Sequence, residues 1–395
     1  MLRVGLIGLG TISNEHVLGY LDCEDAAIAA VCEVDQDAGR RWLGRWNQPQ
    51  ATLYGNHEEM LEKEELDIVE ILTPYNLHCA LAIDCAQAGI KGLSVQKPMA
   101  QGLQECDWMI EICKRRGVKL RVYENFLFYP SYVRAKALIE EGVIGEPMSI
   151  RVNTMGGVKE GAPWPIFWDP NSWRMDFRRT GMGPLVGDDG FHKFSLARWF
   201  MEREFEKISA WIDGNTPLDA PAMIRVRFRD DGNMPKYAQL DFSFSPRMAL
   251  PCSFWLDDFV EIFGEKGVMW INQCTGGKDR AYFQACNMSG TAAFPPIATF
   301  VDGEVTTYLE EIPPEERSWS SSFVGATRHF VQAVRDDTRP VFTGEEGREI
   351  TRYIIAAYLS AQEGRDVYMD EITTQAERTR EFEIKSNFCN AAATP

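Results

Sequence analysis

The sequence predicts an α/β domain with a parallel sheet, followed by an α+β domain whose sheet is mostly antiparallel. Three observations lead there. At 395 residues the chain is too long for one compact core and suggests two domains. Strand and helix signals alternate over roughly the first 125 residues, as covering helices on a parallel sheet require. Beyond Pro130 strands follow one another without intervening helices, which is the pattern of an antiparallel sheet. The expected boundaries are 1–127 for the first domain, 128–372 for the second, and 373–395 for a polar tail that forms an arm or frays.

In the first part, strands are expected at Arg3–Gly8, Ala27–Glu33, Ile68–Leu72, Gly92–Val95 and Lys119–Tyr123. Helices are expected at Ile12–Leu21, Ala38–Trp46, His78–Ala88 (stopped by Gly89) and Gln104–Arg116. A helix over Ser131–Glu141 then leads into a strand at Pro147–Asn153 and a long irregular stretch. Alternating strands follow at Ile208–Ile212, Met223–Phe228, Tyr237–Phe244, Phe254–Phe263 and Val268–Ile271. Asp213-Gly214, Asp231-Gly232 and Asp302-Gly303 supply the turns, and Ser321–Val334 and Glu346–Ser360 read as helices.

Composition narrows the function. Hydrophobic residues at 45% and charged residues at 25% fit a soluble globular protein. A net charge of −17 argues against nucleic acid or an anionic membrane surface as partner, since both would repel it. The start of the chain, Met1-Leu2-Arg3-Val4-Gly5-Leu6-Ile7, enters a strand pattern without a secretory signal, and no apolar run reaches the ~18 residues of a membrane span. The ten cysteines are scattered without CxxC or Cys/His ligand spacing, so no metal site or disulfide frame is indicated. They are expected to be reduced thiols of a cytoplasmic protein, in which the Asn287-Met288-Ser289 sequon has no meaning.

Gly8-Leu9-Gly10-Thr11-Ile12-Ser13 follows a strand and opens a helix. Glycines at 8 and 10 permit a tight turn and close approach of backbone N–H groups to a pyrophosphate at the helix N-terminus. Ser13 replaces the third glycine of the usual fingerprint. Glu33, about twenty residues on at the next strand end, can accept from both ribose hydroxyls of NAD and would repel the 2′-phosphate of NADP. Thr73-Pro74-Tyr75-Asn76-Leu77-His78 and Gln96-Lys97-Pro98 follow strand ends on the same side and would face the cofactor. Read alone, Lys97 is an ordinary surface lysine aimed outward by the following proline.

The second candidate region is Gly187-Asp188-Asp189-Gly190-Phe191-His192. Asp188 and His192 are four apart, so on one α-helix they would share a face, and a carboxylate beside an imidazole orients the ring for acid/base work. His16 and His78 begin helices near the cofactor loops, where capping or packing explains them equally well. Upstream, Trp164, Trp168 and Trp173 punctuate a segment with Asp169, Asn171, Arg174, Asp176 and Arg178. Aromatic faces with hydrogen-bonding neighbours suit a polyhydroxylated ring, although the same tryptophans could simply pack a long loop.

Taken in order, the glycine turn, the TPxxxH loop, a version of an EKP loop at Gln96-Lys97-Pro98 and the DxGxH motif at Asp188–His192 resemble the Gfo/Idh/MocA oxidoreductases. That resemblance runs from Val4 to about Val367. It implies a Rossmann domain, a second domain whose large open sheet forms a homo-oligomer interface, and NAD as cofactor. It also implies catalytic roles for Lys97, Asp188 and His192, and a place for Glu124 and Asn125 beside the nicotinamide. The expected cofactor contacts are Gly8, Gly10, Thr11, Ile12, Glu33, Thr73, Pro74, Asn76, His78, Gln96 and Asn125. The expected substrate contacts are Lys97, Glu124, Trp168, Trp173, Arg174, Asp189 and His192. Departures are Gln96 for the family's usual glutamate, Phe126 and Leu127 where arginines are common, and Ser195 where a second aspartate is frequent. Loss of the negative charge at position 96 is expected either to make Lys97 more acidic or to alter how it is anchored, and so to change how the cofactor is handled.

The expected reaction is oxidation of a secondary hydroxyl of a sugar, glycoside (at C3) or inositol, with the alcohol oxygen between Lys97 and His192. Two alternatives share the cofactor: a glycoside-cleaving enzyme that oxidises its substrate only transiently, and a redox-silent dinucleotide-binding regulator.

Overall fold

A computed structural model describes residues 1–158, 172–213, 218–249, 256–272, 295–308, 311–313, 316 and 318–384. The chain forms two compact units: Met1–Asn125 with Phe323–Thr351, and Phe126–Ser322 with Arg352–Pro395.

The first unit is built on six parallel strands: β1 Leu2–Ile7, β2 Ala26–Cys32, β3 Thr52–Tyr54, β4 Ile68–Ile71, β5 Gly92–Gln96 and β6 Lys119–Tyr123. Their order is β3-β2-β1-β4-β5-β6, so the winding reverses between β1 and β4. That reversal is where open α/β sheets bind ligands, outside the carboxyl ends of the strands. β4 and β5 are buried along their whole length, as strands covered on both faces must be. One side of the core joins Val4, Leu6, Ile28, Val31 and Ile68 to Phe330, Val331 and Val334. The late segment Phe323–Thr351 thus completes the first unit, where the sequence suggested a single boundary near residue 127. Apolar spacing marks a helix as buried but cannot say against which sheet.

In the first unit two elements were not foreseen in the sequence, β3 and the helix His57–Lys63, which Asn56 caps by accepting from Glu58 N and Glu59 N. Both are short, with too few apolar positions to show a period. In the second unit the strands Ile297–Val301, Glu304–Thr307 and Val367–Tyr368 were not foreseen. The helix expected at Ala38–Trp46 starts earlier, at Gln36, because the Asp35 side chain caps it.

The second unit holds β7 Pro147–Val158, β8 Phe205–Ile212, β9 Ala222–Phe228, β10 Tyr237–Ala249, β11 Leu256–Gly264, β12 Gly267–Asn272, β13 Ile297–Val301, β14 Glu304–Thr307 and β15 Val367–Tyr368. Among the described residues they form one sheet in the order β14-β13-β12-β11-β7-β10-β9-β8-β15. The β7–β10 pair is parallel and the other pairs are antiparallel. Strict in–out alternation along β9 marks a sheet with one face on the core. That core includes Phe205 stacked on Tyr353 at 4.0 Å, with Phe228 edge-on at 5.0 Å. Within the expected tail, Thr374–Arg378 is helical. The sequon at 287–289 and the start of the strand expected from Phe254 lie outside the described residues. Among the described residues no helix is long and apolar enough to cross a membrane.

Candidate active site

In the first unit, the glycine turn leaves β1 at its carboxyl end. Gly8 has φ +92°, and a Cβ there would meet the Leu72 backbone at 3.2 Å, so only glycine fits. A Cβ on Gly10 would meet nothing within 4 Å, which leaves the turn approachable from outside. Ser13 fits in place of a third glycine because its buried hydroxyl donates to the Gly10 carbonyl at 2.6 Å. Thr11 and Ile12 form the turn leading into the helix Ser13–Leu21, their carbonyls accepting from Asn14 N and Glu15 N. The Glu33 carboxylate reaches this turn: Oε2 accepts from Leu9 N at 2.9 Å and Oε1 from Asp35 N at 3.0 Å.

Thr73, Pro74 and Asn76 line the loop after β4. His78 ties that loop down, with Nε2 2.9 Å from the Thr73 carbonyl and Nδ1 3.2 Å from the Met99 carbonyl. Among the described residues, Thr73 Oγ1 and Asn76 Oδ1 are buried without a hydrogen-bond partner. Unpaired buried polar atoms at the switch point of such a sheet fit the hydroxyls and amide of a dinucleotide. After β5, Gln96 Oε1 accepts from Lys97 N at 2.7 Å, and the Lys97–Pro98 peptide is cis. Glu124 and Asn125 are buried directly after β6.

In the second unit, Pro184–Asp189 is a π-helical turn that continues into the α-helix Gly190–Met201. The spacing from Asp188 to His192 therefore crosses a π–α junction instead of running along one α-helical face, the geometry assumed in the sequence argument. Asp188 is buried, and its Oδ2 accepts from Arg174 Nε at 2.7 Å. The Arg174 guanidinium also lies 4.4 Å over the Trp173 ring. Asp188, Arg174 and Trp173 are thus brought together; Trp164, Trp168, Asp169 and Asn171 lie outside the described residues.

His192 is 5% exposed and stacks face to face on Phe126, with centroids 4.0 Å apart and planes 12° from parallel. Phe126, noted in the sequence only as a departure, thereby fixes the plane of the imidazole. Beside it, Lys193 is 1% exposed, with Nζ 3.0 Å from Asp189 Oδ2, 2.8 Å from Asp258 Oδ2 and 4.8 Å from the Phe126 ring centre. The other Asp258 oxygen accepts from Thr154 Oγ1 at 2.7 Å. Sequence reasoning missed Lys193 and Asp258. The Asp189–Lys193 spacing was a usable signal; the partner on β11 was not, because it depends on tertiary register. Ser195 donates to the Phe191 carbonyl one turn back at 2.7 Å, a role internal to the helix.

The π turn is anchored from beneath. Asp219 is fully buried and accepts from Leu185 N at 2.8 Å, Val186 N at 2.9 Å and Tyr358 Oη at 2.5 Å. Burial pushes its carboxyl up to about 7, outweighing the Tyr358 and backbone donors that favour the anion. A folded-state value raised above the unfolded one gives stability that is complete below pH ~4 and is lost as pH rises through about 7. Asp219→Asn, whose amide can accept from only one of the two backbone donors, is expected to cost about 1–3 kcal/mol at low pH. It should also flatten the decline in stability between pH ~4 and ~7, which urea unfolding at a series of pH values will show. An unchanged slope would mean that Asp219 stays ionised in the fold.

Residues 2–124 match the model of an oxidoreductase family with an NAD-binding Rossmann fold, and residues 136–369 match that family's C-terminal alpha/beta domain. With the glycine turn, Glu33 and the switch-point loops, this defines an NAD-binding oxidoreductase. The chain belongs to the Gfo/Idh/MocA family. It is 25% identical over 379 residues to D-apiose dehydrogenase of Paraburkholderia graminis, covering 94% of this chain and 90% of that protein. It is 26% identical over 380 residues to myo-inositol 2-dehydrogenase of Thermotoga maritima, covering 94% and 99%. An Agrobacterium radiobacter oxidoreductase solved with NAD+, L-tartaric acid and magnesium shares the fold at a TM-score of 0.76 and 20% identity, covering 94% and 99%. Alpha-N-acetylgalactosaminidase of Tannerella forsythia is 28% identical over only 153 residues, 37% of this chain and 33% of that protein.

Proposed function

We propose that this chain is an NAD-dependent dehydrogenase that oxidises a secondary hydroxyl of a sugar, a glycoside (at C3) or an inositol. The observation that carries the reading is that Lys97 and His192 occur, with Asp188, in a chain that aligns over 94% of its length with two dehydrogenases of such substrates. NAD, when bound, supplies the hydride acceptor. Gly8, Gly10, Thr11 and Ile12 would hold its pyrophosphate, Glu33 its ribose, and Thr73, Pro74, Asn76, His78, Gln96 and Asn125 the remainder. Lys97 stabilises the alkoxide that develops on the substrate oxygen, and His192 takes the hydroxyl proton. Asp188 and Arg174 orient the histidine segment, while Glu124, Trp173, Arg174 and Asp189 contact the sugar. The test is to incubate the protein with NAD and a panel of sugars, glycosides and inositols and follow NADH; tight NAD binding with no turnover on any polyol would overturn the reading in favour of a regulator.

Glu33→Ala is expected to weaken NAD binding by about tenfold or more and to relax the rejection of NADP, because a charge-assisted hydrogen bond and a repulsive carboxylate are lost together. Titrating both dinucleotides by tryptophan fluorescence measures the two effects separately. The partial match to a galactosaminidase favours a second reading, glycoside cleavage with only transient oxidation. Release of sugar without net NADH would establish it.

The chain also reads as a cytoplasmic homo-oligomer. Free cysteines at 23, 32, 79, 85, 106 and 113 support the first part. Exposed Trp211, Met223, Tyr237, Phe300 and Tyr368 on the strands of the second unit support assembly through that sheet, which light scattering after gel filtration would test.

A further inference from the structure

A line of buried polar groups in the first unit ends at Lys97. Arg121 on β6 places Nη2 3.2 Å from Glu70 Oε1, and its Nε donates to Ser94 Oγ at 3.0 Å. Ser94 in turn donates to Glu70 Oε1 at 2.8 Å. The other Glu70 oxygen lies 3.1 Å from His16 Nδ1. His16 Nε2 is 2.8 Å from Gln96 Nε2, and Gln96 Oε1 accepts from Lys97 N. His16, Glu70 and Ser94 are wholly buried. Tyr123 and Phe323 pack on the His16 ring at 4.0 and 5.2 Å.

This geometry sets the protons. Lys97 N–H can only donate, so the Gln96 atom facing it is the amide oxygen. The Gln96 NH₂ therefore points at His16 Nε2, which must present a lone pair. The single ring proton then sits on Nδ1, the nitrogen 3.1 Å from Glu70 Oε2. A carboxylate at position 96, the family's usual residue, would instead demand a proton on Nε2. The missing negative charge at Gln96 and the missing proton on His16 are thus one matched pair.

We propose that His16 is a positioning residue for Lys97. As the neutral Nδ1–H tautomer that the Gln96 contact requires, it accepts from the Gln96 amide and so fixes the strand end that carries Lys97. The kinetic part of this inference rests on the catalytic reading of Lys97; the tautomer does not.

The test begins with ¹⁵N-histidine-labelled protein, whose five histidines give a readable two-bond ¹H–¹⁵N spectrum in which His16 is assigned by its loss in His16→Gln. The expected pattern at neutral pH is the Nδ1–H tautomer, converting to doubly protonated imidazolium in Gln96→Glu. An Nε2–H or imidazolium pattern in the wild type overturns the proposal, whether or not any substrate is turned over. Kinetically, His16→Ala should lower kcat about tenfold with the KM for NAD nearly unchanged, as one positioning hydrogen bond is lost. His16→Gln, which can accept from Gln96 and donate to Glu70, should recover most of the loss. Equal losses in the two variants would reduce His16 to packing; if His16→Ala does not fold, the spectrum and His16→Gln decide.

Discussion

His192→Ala is expected to lower kcat by ~10² or more while leaving NAD affinity within about twofold of the wild type. The histidine belongs to the second unit, whereas the glycine turn, Glu33 and the Thr73–His78 loop all belong to the first, so the two measurements separate chemistry from cofactor binding. Phe126 gives a graded control. Its stack at 4.0 Å holds the imidazole plane, and Phe126→Leu keeps the volume roughly while removing the aromatic face. That variant should lose about three- to tenfold in kcat, less than the alanine change at 192, because the proposed base is still present but less well oriented. If His192→Ala turns over normally on a substrate of the wild type, His192 is not the base. Equal losses in kcat and NAD affinity would instead point to a disturbed fold.

The architecture was legible because both periodicities are strong. β4 and β5 were legible as strands because they lie between helical stretches and carry Ile68, Val69, Ile71, Leu93 and Val95 in short runs, and the alternation along β9 could only belong to a half-covered sheet. What failed depended on distance along the chain. Phe330, Val331 and Val334 show a buried helix face, yet nothing local reveals that they cover the first sheet, more than two hundred residues back in the sequence. The candidate site divides the same way. The glycine turn and Glu33 were readable because one strand–turn–helix unit carries them in fixed register. The setting of Asp188 was not readable because i,i+4 arithmetic presumes an α-helix, and Pro184–Asp189 winds as a π turn held by Asp219 from another element. Gln96 looked like a defect in a motif. Its complement, His16, lies eighty residues earlier, and only the fold brings them together.

Lys193→Met should be the most destabilising single change near the site, costing about 3–5 kcal/mol. The ammonium is buried against Asp189 and Asp258, and its removal takes a cation away from two carboxylates. Methionine matches the aliphatic stem, so packing against Phe126 is largely kept and the loss reports on charge. For a protein of this size such a loss corresponds to a fall of about 4–6 °C in the melting temperature. Adding Asp258→Asn to Lys193→Met removes the charge left without its cation and keeps an acceptor for Thr154, so the double variant should regain about half of the loss, the signature of direct coupling. Strict additivity of the two changes would show that Lys193 acts through packing alone. Because Asp189 follows Asp188 in the same turn, the single variant should also raise KM for the substrate at temperatures where the fold is intact. A destabilised protein with unaltered KM would confine the triad to structure and remove Asp189 from the sugar contacts.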